Sequence, residues 1–418
     1  MDHFQLKAGS LHCEDISLEQ IATDVGTPTY VYSGATLRRH VKVLKDAFEG
    51  IPHHICYAVK ANGNLALLQV LRDAGCEFDA VSVGELKRVQ QIGVPGSDLI
   101  FSGVGKRDDE IEAALDAGVK YICVESEEEL LAIASIGAKM GKQAPISLRV
   151  NPDVDPQTHP YIATGLEKNK FGVPFQDAPR LYKLAVENPN LNPVGVTCHI
   201  GSQVTTLSPF IDAAKRMASL AKTLTESGAN LRYLGMGGGL GIPYKGETPP
   251  APKEYGEALA EILRPLGMEL VLEPGRVIVG NAGILLTRVV RRKQGASRHF
   301  TLVDAGMNDL IRPALYQADH EIVAVRPDSL EPGSTCLVGP VCESSDTFAE
   351  DWQQGIPQLG SLLAIRSAGA YGAVMATTYN GRPRPAEVIC IDGQMHVARE
   401  RDTIESTWMG EALLPSRS

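Results

Sequence analysis

Residues 53–62, HHICYAVKAN, run apolar and β-prone from Ile55 to Val59 and then meet a lysine. A lysine at a strand tip is an ordinary snorkelling cation, or an amine held in a pocket for covalent chemistry. Three other stretches bear on the choice: HIGS at 199–202, GGGLG at 237–241 and EPGR at 273–276. A glycine run lets backbone approach a ligand closely and offers bare N–H groups to an anion. It is not a dinucleotide fingerprint, because Ile242 stands where the third glycine counted from Gly237 would be. No Walker A pattern is present. A lysine able to form a Schiff base, together with a phosphate cradle, points to pyridoxal 5′-phosphate. That cofactor wants an acid beside its ring nitrogen, for which Glu273 is suited, and a flat partner on one ring face, for which His199 is suited. Taken singly, Glu273 reads equally well as a helix-cap carboxylate, His199 as a core histidine and Arg276 as a surface ion-pair partner. Their joint occurrence at strand ends is what favours the chemical reading.

The elements that must position these residues have a regular rhythm. From about residue 34, short apolar runs alternate with amphipathic stretches that end in glycine. Eight strand candidates result: HICYAV, CEFDAVS, DLIFSG, KYICVES, ISLRVNP, VGVTCHIGS, LRYLGMGGG and ELVLEPG. The first four start about 22 residues apart, a normal β/α unit for a closed parallel barrel. A doubly wound open sheet shares this rhythm, but eight units favour a TIM-like (β/α)8 barrel over residues 34–280. In such a barrel the chemistry sits where strands end. Lys60, Asp79–Ser82, Arg149, Asn151, His199–Ser202, the glycine run and Glu273–Arg276 all stand at the ends of strand candidates. After about residue 280 the chain reads as strands joined by Gly, Pro and Asp turns. The expectation is therefore a mainly β C-terminal domain, formed by residues 281–418 together with 1–33. Residues 240–252, LGIPYKGETPPAP, read as a Pro-rich loop long enough to be functional.

Composition narrows the class. A chain of 418 residues exceeds one ordinary core. With 40 Lys+Arg against 50 Asp+Glu, a net charge of −10 and no basic run, nucleic acid is a poor partner. The eight cysteines are scattered without a CxxC pair, which argues against a zinc knuckle, a metal site or a disulfide framework and for a reducing compartment. The start MDHFQLKAGS has no apolar signal core, and no run approaches the ~18 apolar residues of a membrane span. The expectation is a cytoplasmic enzyme without a membrane partner.

YAVKAN (57–62), HIGSQ (199–203), GGGLG (237–241) and EPGR (273–276) resemble the alanine-racemase-like, fold-type III pyridoxal-phosphate decarboxylases. The segment 151–172, NPDVDPQTHPYIATGLEKNKFG, is similar to the diaminopimelate decarboxylase branch, as are GPVCESSD (339–346) and AGAYGAVMATTYNGRPRPAEV (368–388). The resemblance runs in order along essentially the whole chain. It implies decarboxylation of meso-2,6-diaminopimelate to L-lysine and carbon dioxide, the last step of lysine biosynthesis. Lys60 would hold the cofactor covalently. Glu273 would pair with its ring nitrogen and His199 would stack on the ring. Gly239, Gly275, Arg276 and Tyr371 would bind its phosphate end, with Ser202 as a helper. Arg276, Arg312 and Tyr316, with Tyr371 nearby, would grip the distal carboxylate of the substrate, and Glu343 its distal ammonium. Cys342 would supply the proton that replaces carbon dioxide. In the family Cys342 and Glu343 reach the site from the other subunit, so the resemblance implies a homodimer with shared sites and a β domain that contributes to both.

The residue types agree with those roles. Diaminopimelate carries an amino-acid group at each end, and the unreactive end needs cations for its carboxylate and an anion for its ammonium. Arginine forks suit the first, and Glu343 suits the second. A thiol titrates close enough to working pH to serve as an acid. The alternatives are a decarboxylase of ornithine or arginine, and a non-catalytic cofactor-binding regulator of the same fold. The extra arginine and the segment 151–172 weigh against the first; Lys60 and Cys342 together weigh against the second.

Overall fold

Eight short parallel strands close on themselves between Thr36 and Gly280. They are β1 His53–Ala58, β2 Glu77–Ala80, β3 Leu99–Phe101, β4 Tyr121–Val124, β5 Ala144–Asn151, β6 Leu191–Thr197, β7 Tyr233–Gly237 and β8 Glu269–Leu272. Each pairs with its successor, and β8 pairs with β1 through Leu270–Leu272 against His53–Ile55, which closes the ring. The computed structural model describes residues 2–156 and 169–415. The eight strand candidates of the sequence are these eight strands.

The strands are short because each is covered on both faces and needs only enough length to cross the barrel. Cys56, Ile100, Tyr121, Cys123, Tyr233 and Val271, from β1, β3, β4, β7 and β8, form one buried cluster. Outside the ring, helices follow the strands, and polar residues just past the strand ends start them. Asn64 caps Leu65–Asp73 by accepting from the Ala66 N–H at 3.0 Å. Ser82 caps Val83–Gln91, and Ser126 caps Glu127–Met140. Such caps satisfy N–H groups that a helix start leaves without internal partners. Gly118 and Gly141 end helices in the left-handed conformation at φ 69° and 63°, which a side chain would oppose. Strand, cap, helix and glycine thus repeat, and every strand's C-terminal end opens into a loop on the same face of the ring.

The second unit comprises Met1–Ala35 and Asn281–Ser418. Its main sheet is built on the long strand Gly283–Gln294. The first part of that strand lies antiparallel between Thr29–Ser33 and Leu362–Ile365, and its far part pairs with His299–Val303. Ala386–Ile391 extends the sheet beyond Thr29–Ser33. A three-stranded meander, Phe4–Lys7, Ser10–Cys13 and Ile16–Ser17, packs Leu11 and Cys13 into a core with Val31, Ile284, Leu286, Ala364 and Val388. Among the described residues no helix is long and apolar enough to cross a membrane.

Candidate active site

Lys60 leaves β1 in a single turn of 3-10 helix, Val59–Ala61. The register of β1 with β2 sets Ala58 opposite Asp79. Lys60 Nζ consequently lies 3.9 Å from Asp79 Oδ2, with the lysine side chain 43% exposed and the aspartate side chain 0%. Neither Asp79 oxygen accepts a hydrogen bond among the described residues.

Glu273 is the first residue after β8, and its Oε1 is buried without a hydrogen-bond partner among the described residues. Burial pushes its carboxyl up to about 8; the negative charge of Asp79 adds to the rise, and Lys60 and Arg149 oppose it. His199 follows β6 by two residues. Its Nδ1 accepts the Gly238 N–H at 3.1 Å, which leaves the proton of the neutral ring on Nε2. Burial drives His199 well below its ordinary value, and the charges of Arg149 and Lys60 push the same way, so the ring is neutral at pH 7.

The glycine run is where three loops touch backbone to backbone. A Cβ on Gly237, whose φ is 64°, would sit 2.6 Å from the Cys198 carbonyl oxygen. One on Gly238 would collide with the Glu273 carbonyl, and one on Gly239 with the Gly201 carbonyl. The Glu273 N–H donates to the Gly237 carbonyl at 2.7 Å. Close packing is therefore a first requirement for glycine here, and the Gly238 N–H goes to His199 rather than to an anion.

Arg276 opens the helix Arg276–Val279 directly after Gly275, and it is only 5% exposed. Its Nη2 donates to Ser202 Oγ at 3.0 Å and its Nη1 to the Tyr244 hydroxyl. Tyr244 comes from the Pro-rich loop after β7 and was not singled out in the sequence. Gln203 ties that loop down: its amide donates to the Ile242 carbonyl at 2.6 Å and accepts the Ile242 N–H at 3.2 Å. On the opposite side of the ring Arg149 pairs with the buried Glu125 at 2.6 Å, and Glu125 also accepts the Gly172 N–H at 2.7 Å.

In the β unit, Arg312 and Tyr316 stand one turn apart on the helix Arg312–Tyr316, with the guanidinium 5.9 Å from the ring centre. Arg312 is buried, and its Nε donates to His320 Nε2 at 3.4 Å. The other His320 nitrogen donates to the Arg366 carbonyl at 2.8 Å, which fixes Nε2 as an acceptor. Cys342 is the one exposed thiol; the other seven cysteines are buried. Its N–H donates to Asn380 Oδ1 at 3.0 Å, and the exposed Glu343 accepts from Ser345 Oγ at 2.9 Å. Sequence reasoning gave no role to Asp346 in the same motif. Asp346 is buried and closes the loop, accepting the N–H groups of Val341 at 2.7 Å and Met307 at 2.6 Å. Tyr371 is half-buried, with a φ of 55°. Of the segment 151–172, residues 157–168 lie outside the described residues.

The barrel residues fit pyridoxal 5′-phosphate. An orphaned, buried carboxylate oxygen on Glu273 needs an N–H donor, and a protonated ring nitrogen would be one. A neutral imidazole fixed in orientation suits stacking, and a buried arginine already gripped by a serine and a tyrosine suits a phosphate.

The chain's relatives are consistent along its length. The family model for the pyridoxal binding domain of pyridoxal-dependent decarboxylases matches residues 34–280. The diaminopimelate decarboxylase of Pseudomonas aeruginosa is 49% identical over 415 residues, covering 99% of this chain and 100% of that protein. The crystal structure of diaminopimelate decarboxylase from Helicobacter pylori complexed with L-lysine superposes with a TM-score of 0.91 at 40% identity, covering 94% of this chain and 98% of that one. That of the M. jannaschii enzyme in co-complex with L-lysine gives 0.95 at 36%, covering 99% and 98%.

Proposed function

The chain belongs to the pyridoxal-dependent decarboxylases, in their diaminopimelate branch, and from that premise we propose that it converts meso-2,6-diaminopimelate to L-lysine and carbon dioxide. The observation that carries this reading is the joint position of Lys60, His199 and Glu273 after β1, β6 and β8 of one ring. The substrate follows from the names of full-length relatives and from two solved relatives complexed with L-lysine.

When bound, pyridoxal 5′-phosphate supplies the electron sink for the pair left behind by departing carbon dioxide. Lys60 holds it through its amine. Glu273 offers its unpartnered oxygen to the ring nitrogen, and a cation there would draw the carboxyl back down from about 8. His199 covers a ring face as a neutral imidazole. Arg276, with Ser202, the backbone at Gly239 and Gly275, and Tyr371, takes the phosphate. Arg276, Arg312 and Tyr316 take the distal carboxylate, and Glu343 the distal ammonium. Cys342 Sγ delivers the proton to the carbon that lost its carboxylate. The chain works as a cytoplasmic homodimer with shared sites; its eight free thiols support a reducing compartment.

The test is carbon dioxide release from meso-diaminopimelate, ornithine and arginine, each incubated separately with cofactor-loaded protein. Lysine formed from the first with little release from the others is the expected result. A pocket whose polar partners a wrong substrate leaves unpaired discriminates by about 10⁴-fold or more. Faster release from ornithine or arginine would reject the assignment of substrate.

A further inference from the structure

We propose that Asp79 is the positioning residue for Lys60: a fully buried carboxylate, 3.9 Å from that amine, which holds it as an ammonium at the mouth of the barrel until an aldehyde takes it. The inference rests on the reading of Lys60 as the amine that binds the cofactor. A carboxylate removed from water is costly unless it is hydrogen-bonded or paired. Among the described residues Asp79 has no hydrogen-bond donor on either oxygen, and Lys60 is its one ion-pair partner. An apolar residue at the end of β2 would pack without that cost. The carboxylate therefore acts through the lysine rather than through packing.

Other charges surround the pair. Glu273 directly follows β8, Glu85 lies on the helix Val83–Gln91, and Arg149 on β5 with Glu125 after β4. His199 faces them as a neutral ring. Tyr121, Cys123 and Cys56 below are held uncharged, mainly by burial. Glu85 feels the same pair, raised to about 6 by burial and by Asp79 and lowered by Lys60. Glu273 and Asp79 repel each other, so the lysine lies in a field that favours its protonated form. Condensation with an aldehyde consumes the neutral amine and releases one water, so the ammonium proton must leave first. Removing Asp79 lowers the cost of that loss.

The experiment follows uptake of pyridoxal 5′-phosphate by the apoprotein, by its absorbance, as a function of pH. In D79N the inflection of the uptake rate is expected to move down by about one pH unit or more, and D79E is expected to keep the wild-type inflection. The phosphate of the probe titrates alike in every variant and cancels in the comparison. An unshifted inflection in D79N, with uptake intact, overturns the role of Asp79 and leaves the decarboxylase reading standing. Wild-type protein that takes no aldehyde at Lys60 overturns that reading and this inference together. Should D79N not fold, D79A makes the same comparison without a polar group to bury.

Discussion

Three adjacent strands, β8, β1 and β2, carry charge at both of their ends, and the two ends treat it differently. At the N-terminal mouth His54 Nδ1 meets Glu77 Oε1 at 2.7 Å, and its Nε2 meets Glu269 Oε2 at 2.7 Å. Lys120 takes the other Glu77 oxygen at 2.8 Å, and Arg232 the other Glu269 oxygen at 2.8 Å. Both cations also lie against the Tyr233 ring, at 5.5 and 4.8 Å. Every carboxylate oxygen there has a partner. At the C-terminal mouth, Lys60, Asp79 and Glu273 stand at the ends of the same three strands, and three carboxylate oxygens have no hydrogen-bond donor among the described residues. Glu269 and Glu273 lie four residues apart, about 13 Å along a strand, with Val271 between them in the apolar cluster. One barrel thus holds a satisfied ionic floor and an unsatisfied ionic roof. The lesson is that orphaned charge is retained where a ligand is to complete it, and it is avoided where only stability is at stake.

The comparison is broken most severely at Lys60. K60A is expected to abolish the cofactor's imine absorption and to cut turnover by about a thousandfold or more, and to lower the melting temperature of the apoprotein, because the buried Asp79 loses its ion-pair partner. A normal absorption spectrum would show that another amine does this work. Glu273 comes next. E273Q is expected to lower kcat by about 100-fold, because it removes the charge that keeps the electron sink protonated. The apoprotein should respond in the opposite sense. Burial, with the charge of Asp79, pushes Glu273 up to about 8 from an ordinary value of about 4.5, so its burden on stability is absent below about pH 4.5 and complete above about pH 8. Apo E273Q should therefore gain in melting temperature over wild type between pH 5 and pH 8. A gap independent of pH would mean that the carboxylate is not the source of the strain.

The barrel and most of its roof are legible in the sequence because local pattern encodes them. Each strand is a short apolar run, each loop opens on a polar cap, and Lys60, His199 and Glu273 fall directly after such runs. The glycine run was legible as a close approach, but the object approached is mainly neighbouring backbone, which no local pattern reveals. Tyr244 looked like one residue of a Pro-rich loop until its hydroxyl was found on Arg276. Asp346 looked like a turn residue, yet one of the two N–H groups it accepts belongs to Met307, 39 positions away. The floor was illegible for the same reason. His54 reads as the start of a strand, and its two carboxylates lie 23 and 215 positions away. Hydrophobic period fixes which face a residue takes; it does not say which distant charge shares that face.

The floor supplies the smallest and most specific prediction. Both nitrogens of His54 lie 2.7 Å from carboxylate oxygens, which favours the imidazolium, while the Lys120 ammonium 3.2 Å from Nδ1 opposes it. The bond to Glu77 raises the His54 pKa most; burial opposes this, and Glu269 adds to the rise. Burial pushes Glu77 up, but His54 and Lys120 outweigh it and bring the carboxyl below its ordinary value. Glu269 is lowered chiefly by Arg232. The signs define a window. The histidine contribution is complete below about pH 6.5 and is lost as pH rises through the raised folded value. The carboxylate contributions are complete above about pH 4.5 and are lost as pH falls through their lowered folded values. H54Q should cost about 1–3 kcal/mol in urea unfolding at pH 6, since the three side chains are only partly shielded from water. The deficit should shrink as pH rises through the raised folded value of His54, and kcat per folded molecule should not change. A deficit of equal size at pH 6 and pH 9 would mean that the ring acts through packing rather than charge, and the floor would then differ from the roof in shape alone.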